Sequence, residues 1–283
     1  MINKIKKSLA YRMPVIYRFL LRFKNFKTTQ KETSDQFILM MTGKTHIEMV
    51  RLCLFTISKT WSKLPTLIIA SDGSITTEKI ASSLKFWKGK IQFNGWEDSI
   101  NYHLKKGRNA IANYARLNAF GKKLAIILHH AEEKPVVWID SDILFFKDFL
   151  PYLPKNQTKF ACGGSADWKS AYDERLLKFF DGSLQKYGSL NAGLIYAHGI
   201  NLYEQYKIEE ALNLIHPNYD FLSEQTIFAE IASTSLGVLW EQQIIGNFND
   251  DDQSLSPTKK QYTARHYTSN VRHLFWRDAF FLS

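Results

Sequence analysis

Residues 136–146 read Val-Val-Trp-Ile-Asp-Ser-Asp-Ile-Leu-Phe-Phe, and this stretch decides how the rest of the chain is interpreted. The residues before Asp140 are apolar and partly β-branched, as expected of a strand buried on both faces of a parallel sheet. Asp140 and Asp142 follow at its carboxyl end, where open α/β sheets bind ligands. Side chains two apart on an extended chain point the same way, with Cα atoms about 7 Å apart. The pair is predicted to hold a divalent cation, Mg²⁺ or Mn²⁺, and the phosphates bound to it.

The charge of the chain is concentrated at one end. The 283 residues carry a formal net charge of +10, and nine of the 37 basic residues but none of the 27 acidic ones precede Glu32. A basic tail on a nearly neutral domain does not indicate a nucleic-acid-binding protein, and no nucleic-acid partner is expected. We expect a basic extension over residues 1–34 and one globular domain over residues 35–283.

The basic extension has a helical pattern. Within residues 1–27, apolar side chains recur every three or four positions, at Ile2, Ile5, Leu9, Met13, Ile16, Leu20 and Phe23. Pro14 predicts a kink or the start of a second helix. Such a basic amphipathic segment can lie on an anionic membrane surface, or it can pack on its own domain or on another subunit. Residues 28–35 are polar and predict a linker.

Two further features bear on the compartment. Arg12, Arg18 and Arg22 interrupt the apolar residues of the extension, so no run approaches the ~20 residues that span a bilayer. Cys53 and Cys162 lie in apolar or small-residue contexts without a CxxC pair, which predicts buried free thiols. The expected location is therefore the cytoplasm, with possible peripheral attachment to the cytoplasmic face of a membrane.

Strand and helix patterns alternate along the first half of the domain. The pattern predicts strands at 37–41, 65–70, 90–93 and 136–139, and helices at 46–61, 76–87 and 109–130, the last with a break at Gly121. Later helical stretches lie near 172–186, 203–215 and 223–233. Such alternation predicts βαβ units, an α/β fold and a mostly parallel central sheet flanked by helices.

Three separated motifs together resemble one family. Ile139-Asp140-Ser141-Asp142 is similar to a metal-binding DxD, and residues 190–196, Leu-Asn-Ala-Gly-Leu-Ile-Tyr, look like an FNAG segment before an apolar strand. Residues 266–272, His-Tyr-Thr-Ser-Asn-Val-Arg, resemble a C-terminal HxxGxxK motif, with Ser269 and Arg272 replacing its Gly and Lys. Over residues 36–276 the chain resembles the GT-A fold nucleotide-sugar glycosyltransferases, within them glycosyltransferase family 8, the glycogenin and lipopolysaccharide galactosyltransferase group.

The resemblance implies roles for particular residues. The implied metal ligands are Asp140, Asp142 and His266. The implied donor-binding residues are Arg116, Asp140, Ser141, Asp142, Asn191, Ala192, Gly193 and Arg272. Glu224 and Gln225, in a stretch similar to the family's Asp-Gln-Asp, are implied to lie with Asn191 near the anomeric carbon as catalytic residues. Thr226 replaces the second acid of that stretch.

The implied function is a metal-dependent sugar transfer. The donor would be a nucleotide-sugar, most simply a UDP-sugar, and the acceptor a glycan or glycolipid of cell-surface polysaccharide or lipopolysaccharide synthesis. An imidazole ligand beside two carboxylates favours Mn²⁺ over Mg²⁺. The family resemblance favours retention of the anomeric configuration.

Two alternatives come from different classes. A haloacid-dehalogenase-type phosphatase also carries a DxD after an apolar strand, and residues 250–252 could mimic its later acidic motif. Against it, the DxD follows three strand–helix units, and Leu144 stands where a Thr or Val is expected. A non-catalytic GT-A module that binds nucleotide-sugars is the second alternative, because the residues around His266 and Glu224 depart from the family pattern.

Overall fold

The computed structural model describes residues 2–155, 161–181, 184–247, 262–268 and 271–282. The strands are β1 Thr33–Thr42, β2 Leu64–Ser71, β3 Ile91–Gly95, β4 Val136–Ile139, β5 Ile143–Phe145, β6 Cys162–Ala166, β7 Leu190–Ala197, β8 Leu239–Trp240, β9 Ile245–Gly246 and β10 Ala264–His266. The helices are α1 Ile2–Leu21, α2 Ile47–Thr60, α3 Thr77–Ser83, α4 Trp96–Lys105, α5 Asn109–Leu117, α6 Ala119–Glu133, α7 Glu174–Phe179, α8 Leu184–Tyr187, α9 Leu202–Gln205, α10 Ile208–Ile215, α11 Ser223–Thr234 and α12 Arg272–Leu282.

Seven strands form the central sheet, in the order β3-β2-β1-β4-β7-β6-β8. All neighbouring pairs are parallel except those made by β7, which runs antiparallel to both β4 and β6. The predicted mostly parallel sheet is confirmed, and β7 is its one reversed strand among the described residues. A second sheet of three short strands has the order β5-β10-β9.

The sheet is apolar on both faces because helices cover both. Successive residues of β4 alternate between the two layers: Val136 and Trp138 pack with α5, α6, α10 and α11, while Val137 and Ile139 pack with α2 and α3. This is the period-two alternation expected of a strand. Burial of each large aliphatic side chain contributes about 1.5–3 kcal/mol, which explains why the continuous apolar runs become inner strands.

The helical region predicted over residues 109–130 is two helices. The break lies at Asn118 rather than at Gly121, because the Asn118 side chain caps α6 by accepting a hydrogen bond from the Gly121 amide at 2.9 Å. Gly121 is required for contact between the helices, since a Cβ there would lie 2.4 Å from the Tyr114 carbonyl oxygen. Helix α4 was not predicted.

The N-terminal helix packs on the C-terminal one. Helix α1 is a single helix across Pro14, so of the two predicted outcomes, a kink or a second helix, the second helix does not form. The rings of Tyr17 and Phe280 lie 5.5 Å apart, and the Arg18 guanidinium lies 4.5 Å above the Trp276 ring. Strand β1 begins at Thr33, inside the predicted linker, because β1 extends to pair with β2. Among the described helices, none is long and apolar enough to cross a bilayer.

Candidate active site

The reversed strand brings two of the sequence motifs together. Because β7 runs antiparallel to β4, its first residues lie at the sheet edge where β4 ends. The Asp140 amide donates a hydrogen bond to the Gly193 carbonyl at 2.8 Å. Strand β10 pairs antiparallel with β5, with His266 opposite Ile143, and this pairing places the His266 imidazole beside Asp142. Three segments distant in sequence thus meet at the carboxyl end of β4.

Asp140, Asp142 and His266 form a candidate metal centre. One oxygen or nitrogen atom from each residue lies within 4.8 Å of the corresponding atoms of the other two. His266 Nε2 lies 3.1 Å from Asp142 Oδ1 and 3.9 Å from Asp140 Oδ2. Two carboxylates and one imidazole that converge in this way fit Mn²⁺ or Mg²⁺, with the nitrogen favouring Mn²⁺.

Asn191 orients the histidine of this centre. His266 Nδ1 donates to Asn191 Oδ1 at 3.0 Å, so Nε2 is the nitrogen that faces the two carboxylates. The Gly193 amide also donates to Asn191 Oδ1, while Asn191 Nδ2 donates to the carboxylate of Asp167. Metal-binding histidines are commonly held by such a partner on the other ring nitrogen. Asn191 therefore contacts the site through His266, besides lining the cleft.

Gly193 leaves the space that the imidazole occupies. A Cβ at position 193 would lie 2.2 Å from Cε1 and 2.4 Å from Nδ1 of His266. Any larger residue would displace the ring, so the small residue of the motif serves the metal ligand. Close approach of backbone to another group is a common reason for glycine at a functional site.

The charges around Asp142 favour its ionised form. Arg272 donates two hydrogen bonds to Asp142 Oδ2, from Nη2 at 2.7 Å and from Nε at 3.1 Å. Although burial opposes ionisation, the charges of His266 and Arg272 hold the pKa of Asp142 well below its usual range. Burial likewise opposes protonation of His266, but Asp142 raises the pKa of the imidazole. A cation bound at Nε2 would replace that proton.

Lys123 is a site residue that sequence reasoning missed. Its ammonium group donates to the Ala192 carbonyl at 2.7 Å and lies 3.2 Å from both Asp140 and Glu224, with the side chain only 8% exposed. Burial lowers the pKa of this lysine, but Asp140 and Glu224 outweigh that effect and raise it. Lys123 lies four residues before Ile127, so both are on the buried face of α6, and this spacing is the signal in the sequence that could have identified it.

Two of the three predicted catalytic residues, Glu224 and Gln225, lie in the site. Both also contact other residues of the protein. Glu224 is almost fully buried, and burial raises the pKa of its carboxyl to about 7 against the opposing charge of Lys123. Gln225 accepts a hydrogen bond from the Ala192 amide at 3.1 Å and donates to the Ala171 carbonyl at 2.8 Å. Both residues line the cleft, and both also fix its walls.

The other two residues predicted to bind the nucleotide-sugar donor, Ser141 and Arg116, differ in whether they line the cleft. Ser141 lines the cleft beside the two aspartates. Arg116 lies on the exposed face of α5, where its Nη1 atom is 3.4 Å from Asn113 Oδ1, and it does not line the clefts around Asp140. Helix α5 ends at Leu117, and the chain turns at Asn118 before α6 presents Lys123 to the site.

Two lobes of one cleft meet at the candidate metal centre. The larger lobe, about 520 Å³, extends towards β6 and α11, and the smaller, about 250 Å³, extends towards the ends of β1 and β2. Both lobes are lined by Phe120, Lys123, Asp140, Asp142 and Arg272. The smaller lobe lies at the crevice where ligands bind to open α/β sheets, so the arrangement offers separate places for the two ends of an extended ligand.

Comparisons with known proteins agree in fold. The structure is similar to mouse xyloside xylosyltransferase 1 in its apo form, with a TM-score of 0.58 and 14% identity over 84% of this chain and 99% of that one. It is similar to the bifunctional glycosyltransferase WbbM, with a TM-score of 0.56 and 15% identity over 83% of this chain and 46% of that one. It is also similar to the galactosyltransferase LgtC in complex with donor and acceptor sugar analogs, with a TM-score of 0.50 and 14% identity over 83% of this chain and 87% of that one.

These similarities concern the fold. Neither a protein-family model nor a curated protein sequence matches this chain. The solved structures are GT-A glycosyltransferases, and the predicted GT-A fold is therefore confirmed. Residues 250–252, which the phosphatase alternative invokes, lie outside the described residues.

Proposed function

We propose that the protein is a metal-dependent glycosyltransferase that moves a sugar from a nucleotide-sugar, a UDP-sugar, to a glycan or glycolipid. The observation that supports this proposal best is the position of the metal centre between two lobes of one cleft. Such a centre can hold a diphosphate while the nucleoside lies on one side and the sugar on the other. The GT-A fold, shared with a galactosyltransferase that binds donor and acceptor analogs, agrees with this arrangement.

Asp140, Asp142 and His266 would hold Mn²⁺, or Mg²⁺, and the bound cation would act as a Lewis acid on the diphosphate leaving group. Arg272 is half-exposed and lines both lobes, so its guanidinium can contact phosphate while holding Asp142. Lys123 adds a buried positive charge beside Asp140. Cationic groups fixed where negative charge develops are among the strongest contributions to catalysis.

We infer retention of the anomeric configuration from the state of the acids in the larger lobe. Glu224 is buried and paired with Lys123, and Asp167 accepts hydrogen bonds from Asn191 and Asn247. Because both carboxylates already have partners within the protein, we assign neither of them as the base for an acceptor hydroxyl. The departing phosphate is left to take the proton as the new glycosidic bond forms, which is the expectation for a retaining enzyme.

The exposed face of α1 supports a membrane-bound acceptor at the cytoplasmic side of a membrane. While Tyr17 and Arg18 pack on α12, Val15 and Phe19 of α1 remain 73% and 55% exposed. Phe23, in the turn after α1, is 74% exposed. Together with the exposed basic residues Arg12, Arg22 and Lys27 they form an amphipathic surface that suits anionic lipid.

Sedimentation with vesicles of phosphatidylserine and phosphatidylcholine tests this contact. The double variant Phe19→Ser, Phe23→Ser is expected to bind about tenfold more weakly or worse, because each buried Phe contributes about 1.5–3 kcal/mol. Ile200→Ser, which changes a residue that is 76% exposed elsewhere, is the matched control. If both variants bind vesicles like the wild type, the membrane proposal is wrong.

Donor hydrolysis tests the proposed activity. With Mn²⁺ and a panel of UDP-sugars, the wild type is expected to release UDP, and Asp140→Asn and Asp142→Asn to lose about 10³-fold or more of that rate. Asp35→Asn, at an exposed position of β1, is the control. Equal turnover in all four proteins would contradict the proposal. Hydrolysis of a generic phosphate ester would favour the phosphatase, and UDP binding without turnover the non-catalytic module.

A further inference from the structure

Two large aromatic side chains stand exposed at the rim of the larger lobe. Trp168 is 48% exposed and Phe221 is 64% exposed, and both line that lobe. Exposed aromatic residues at the mouth of a cleft are typical of a surface that binds a ligand. The apolar faces of a sugar ring, which carry its C–H groups, are suited to lie on such rings while the hydroxyls remain in water or in hydrogen bonds.

Hydrogen bonds hold the backbone of the segments that carry these aromatics. The Trp168 amide donates to Asp167 Oδ1 at 2.8 Å, and Asp167 Oδ2 accepts from Asn191, the residue that orients His266. On the other side, the Leu222 amide donates to Asp220 Oδ1 at 2.8 Å, which closes the turn around Phe221. These hydrogen bonds fix the backbone that carries both aromatics at the rim of the larger lobe.

A second cleft begins where the first one ends. It has a volume of about 410 Å³, within the ~300–1,000 Å³ typical of small-molecule sites. Phe221 and Leu222 line both clefts and form the ridge between them. The remaining wall of the second cleft is polar and holds Tyr172, Asp173, Glu174, Arg175, Asn218 and Asp220.

The chemistry of this wall is that of a carbohydrate subsite. Glu174 and Asp220 bring carboxylate acceptors, Arg175 brings guanidinium donors and Asn218 brings an amide that does both. Arg175 is held in place by Asp173, whose Oδ2 atom accepts from Arg175 Nη2 at 2.8 Å, and its side chain is still 42% exposed. Sugar hydroxyl groups both donate and accept hydrogen bonds. This wall offers acceptors and donors beside the aromatic ring of Phe221.

We propose that the second cleft binds a sugar unit of the acceptor that precedes the one being glycosylated. The acceptor is then an oligosaccharide of at least two units that crosses the ridge, with Trp168 and Phe221 contacting ring faces and Asn218 and Glu174 contacting hydroxyls. This inference rests on the proposed glycosyltransferase function and deepens it, because it names the acceptor class and a subsite outside the metal centre.

Saturation-transfer NMR with carbohydrate probes tests the proposal. The probes are methyl glycosides of galactose, glucose, mannose and N-acetylglucosamine, each as mono-, di- and trisaccharide, in the presence of UDP and Mn²⁺. At least one trisaccharide is expected to bind about tenfold more tightly than its monosaccharide. Asn218→Ala and Glu174→Ala are expected to reduce this length preference several-fold, and Phe221→Tyr, which keeps an aromatic ring, to retain it.

The comparison of lengths separates a local effect from misfolding. A variant that merely folds poorly weakens all lengths in proportion and keeps the ratio, whereas loss of a subsite lowers the ratio; Ile200→Ser serves as the surface control. Binding that is equal for all lengths, absent for the whole panel, or unaltered in ratio by both alanine variants would overturn the proposal. Donor hydrolysis, measured separately, shows whether the proposed function fails as well.

Discussion

Two clusters of buried charge in this molecule have different designs. In the first, Arg108, which lies between α4 and α5, contacts Glu132 of α6 at 2.8 Å and Glu204 of α9 at 2.6 Å. Lys106, just after α4, contacts Glu132 at 2.6 Å. The Tyr102 hydroxyl also donates to Glu132. We call this the closed cluster, because its charges are directed at one another. The second is the candidate metal centre, formed by Asp140, Asp142 and His266, with Lys123 and Glu224 beside it.

The candidate metal centre directs its charges at a cleft instead. Asp140 retains 30% exposure, and the ligand atoms of Asp140, Asp142 and His266 converge on one another beside the meeting point of two lobes. Burial and ion pairing are common to both clusters and do not by themselves indicate function. A binding site differs from a structural network because its potential metal ligands converge towards a cavity instead of being paired with opposite charges.

The largest effect is expected in the closed cluster. Arg108→Met should lower the free energy of unfolding by about 3–5 kcal/mol, because it leaves Glu132 buried without its main partner. Donor hydrolysis per folded molecule should stay within about twofold of the wild type. Urea unfolding and active-site-normalised turnover measure the two quantities. If Arg108→Met instead lost turnover and kept its stability, the closed cluster would belong to the active site.

Lys123→Met is expected to show the opposite pattern. Its rate of donor hydrolysis should fall about 10²–10³-fold, as for other fixed charges at a reacting centre. Its stability should fall less than that of Arg108→Met, because Glu224, whose pKa is about 7, can take up a proton when its partner is removed. Lys105→Met, at an exposed position of α4, is the matched control. A rate equal to that of the control would remove Lys123 from the mechanism.

Two buried glutamates are expected to give opposite pH dependence. Burial opposes ionisation of Glu132, but hydrogen bonds from Arg108 and Lys106 hold its pKa below the ordinary 4.5, so its contribution is present above pH 4.5 and is lost on acidification. Burial raises the pKa of Glu224 to about 7, so the folded state loses stability as the pH rises from 4.5 to about 7.

Urea unfolding in EDTA at a series of pH values checks both signs. Relative to the wild type, Glu132→Gln should lose less stability on acidification below pH 4.5, and Glu224→Gln should lose less between pH 4.5 and 7. Wild-type pH profiles in both variants would show that neither side chain has the shifted pKa on which the comparison depends.

The smallest effect is expected at Arg116. Since it lies on the exposed face of α5 and does not line the cleft, Arg116→Ala should change donor hydrolysis by less than about twofold and stability by less than ~0.5 kcal/mol. A steady-state assay with varied donor concentration measures this directly. A large rise in the donor KM would show that Arg116 contacts the nucleotide-sugar and that the cleft is larger than described.

The sequence was informative where one local pattern decides the structure. Strands such as β2 and β4 are buried on both faces, so their apolar runs could be recognised. Asp140, Asp142 and His266 were predicted as one group because three motifs together resemble one family, and their side chains do converge. Lys123 could not be found in this way, because only the packing of α6 against β4 and β7 shows that it is buried between Asp140 and Glu224. Arg116 was assigned to the donor because the family resemblance implies an Arg on the helix before the DxD strand, and it lies on the exposed face of α5, outside the lining of both lobes.

The role of Asn191 also required the three-dimensional structure. The motif indicated a residue of the sugar pocket, but the antiparallel course of β7 brings Asn191 to His266, which is 75 positions later in the chain. Antiparallel placement of one strand in a parallel sheet is set by its long-range pairing and not by its own apolar pattern. The aromatic rim at Trp168 and Phe221 was missed for a similar reason, since exposure depends on neighbours that are distant in sequence.

Calorimetric titration of the metal-free protein with Mn²⁺ in the presence of UDP tests the central claim most directly. We predict one bound Mn²⁺ per chain, with affinity in Asp142→Asn reduced by more than the ~10–100-fold that loss of an outer hydrogen-bond partner of a metal ligand causes. Asp35→Asn should bind like the wild type. Absence of Mn²⁺ binding in the wild type, or equal affinity in Asp142→Asn, would contradict a metal centre at Asp140, Asp142 and His266.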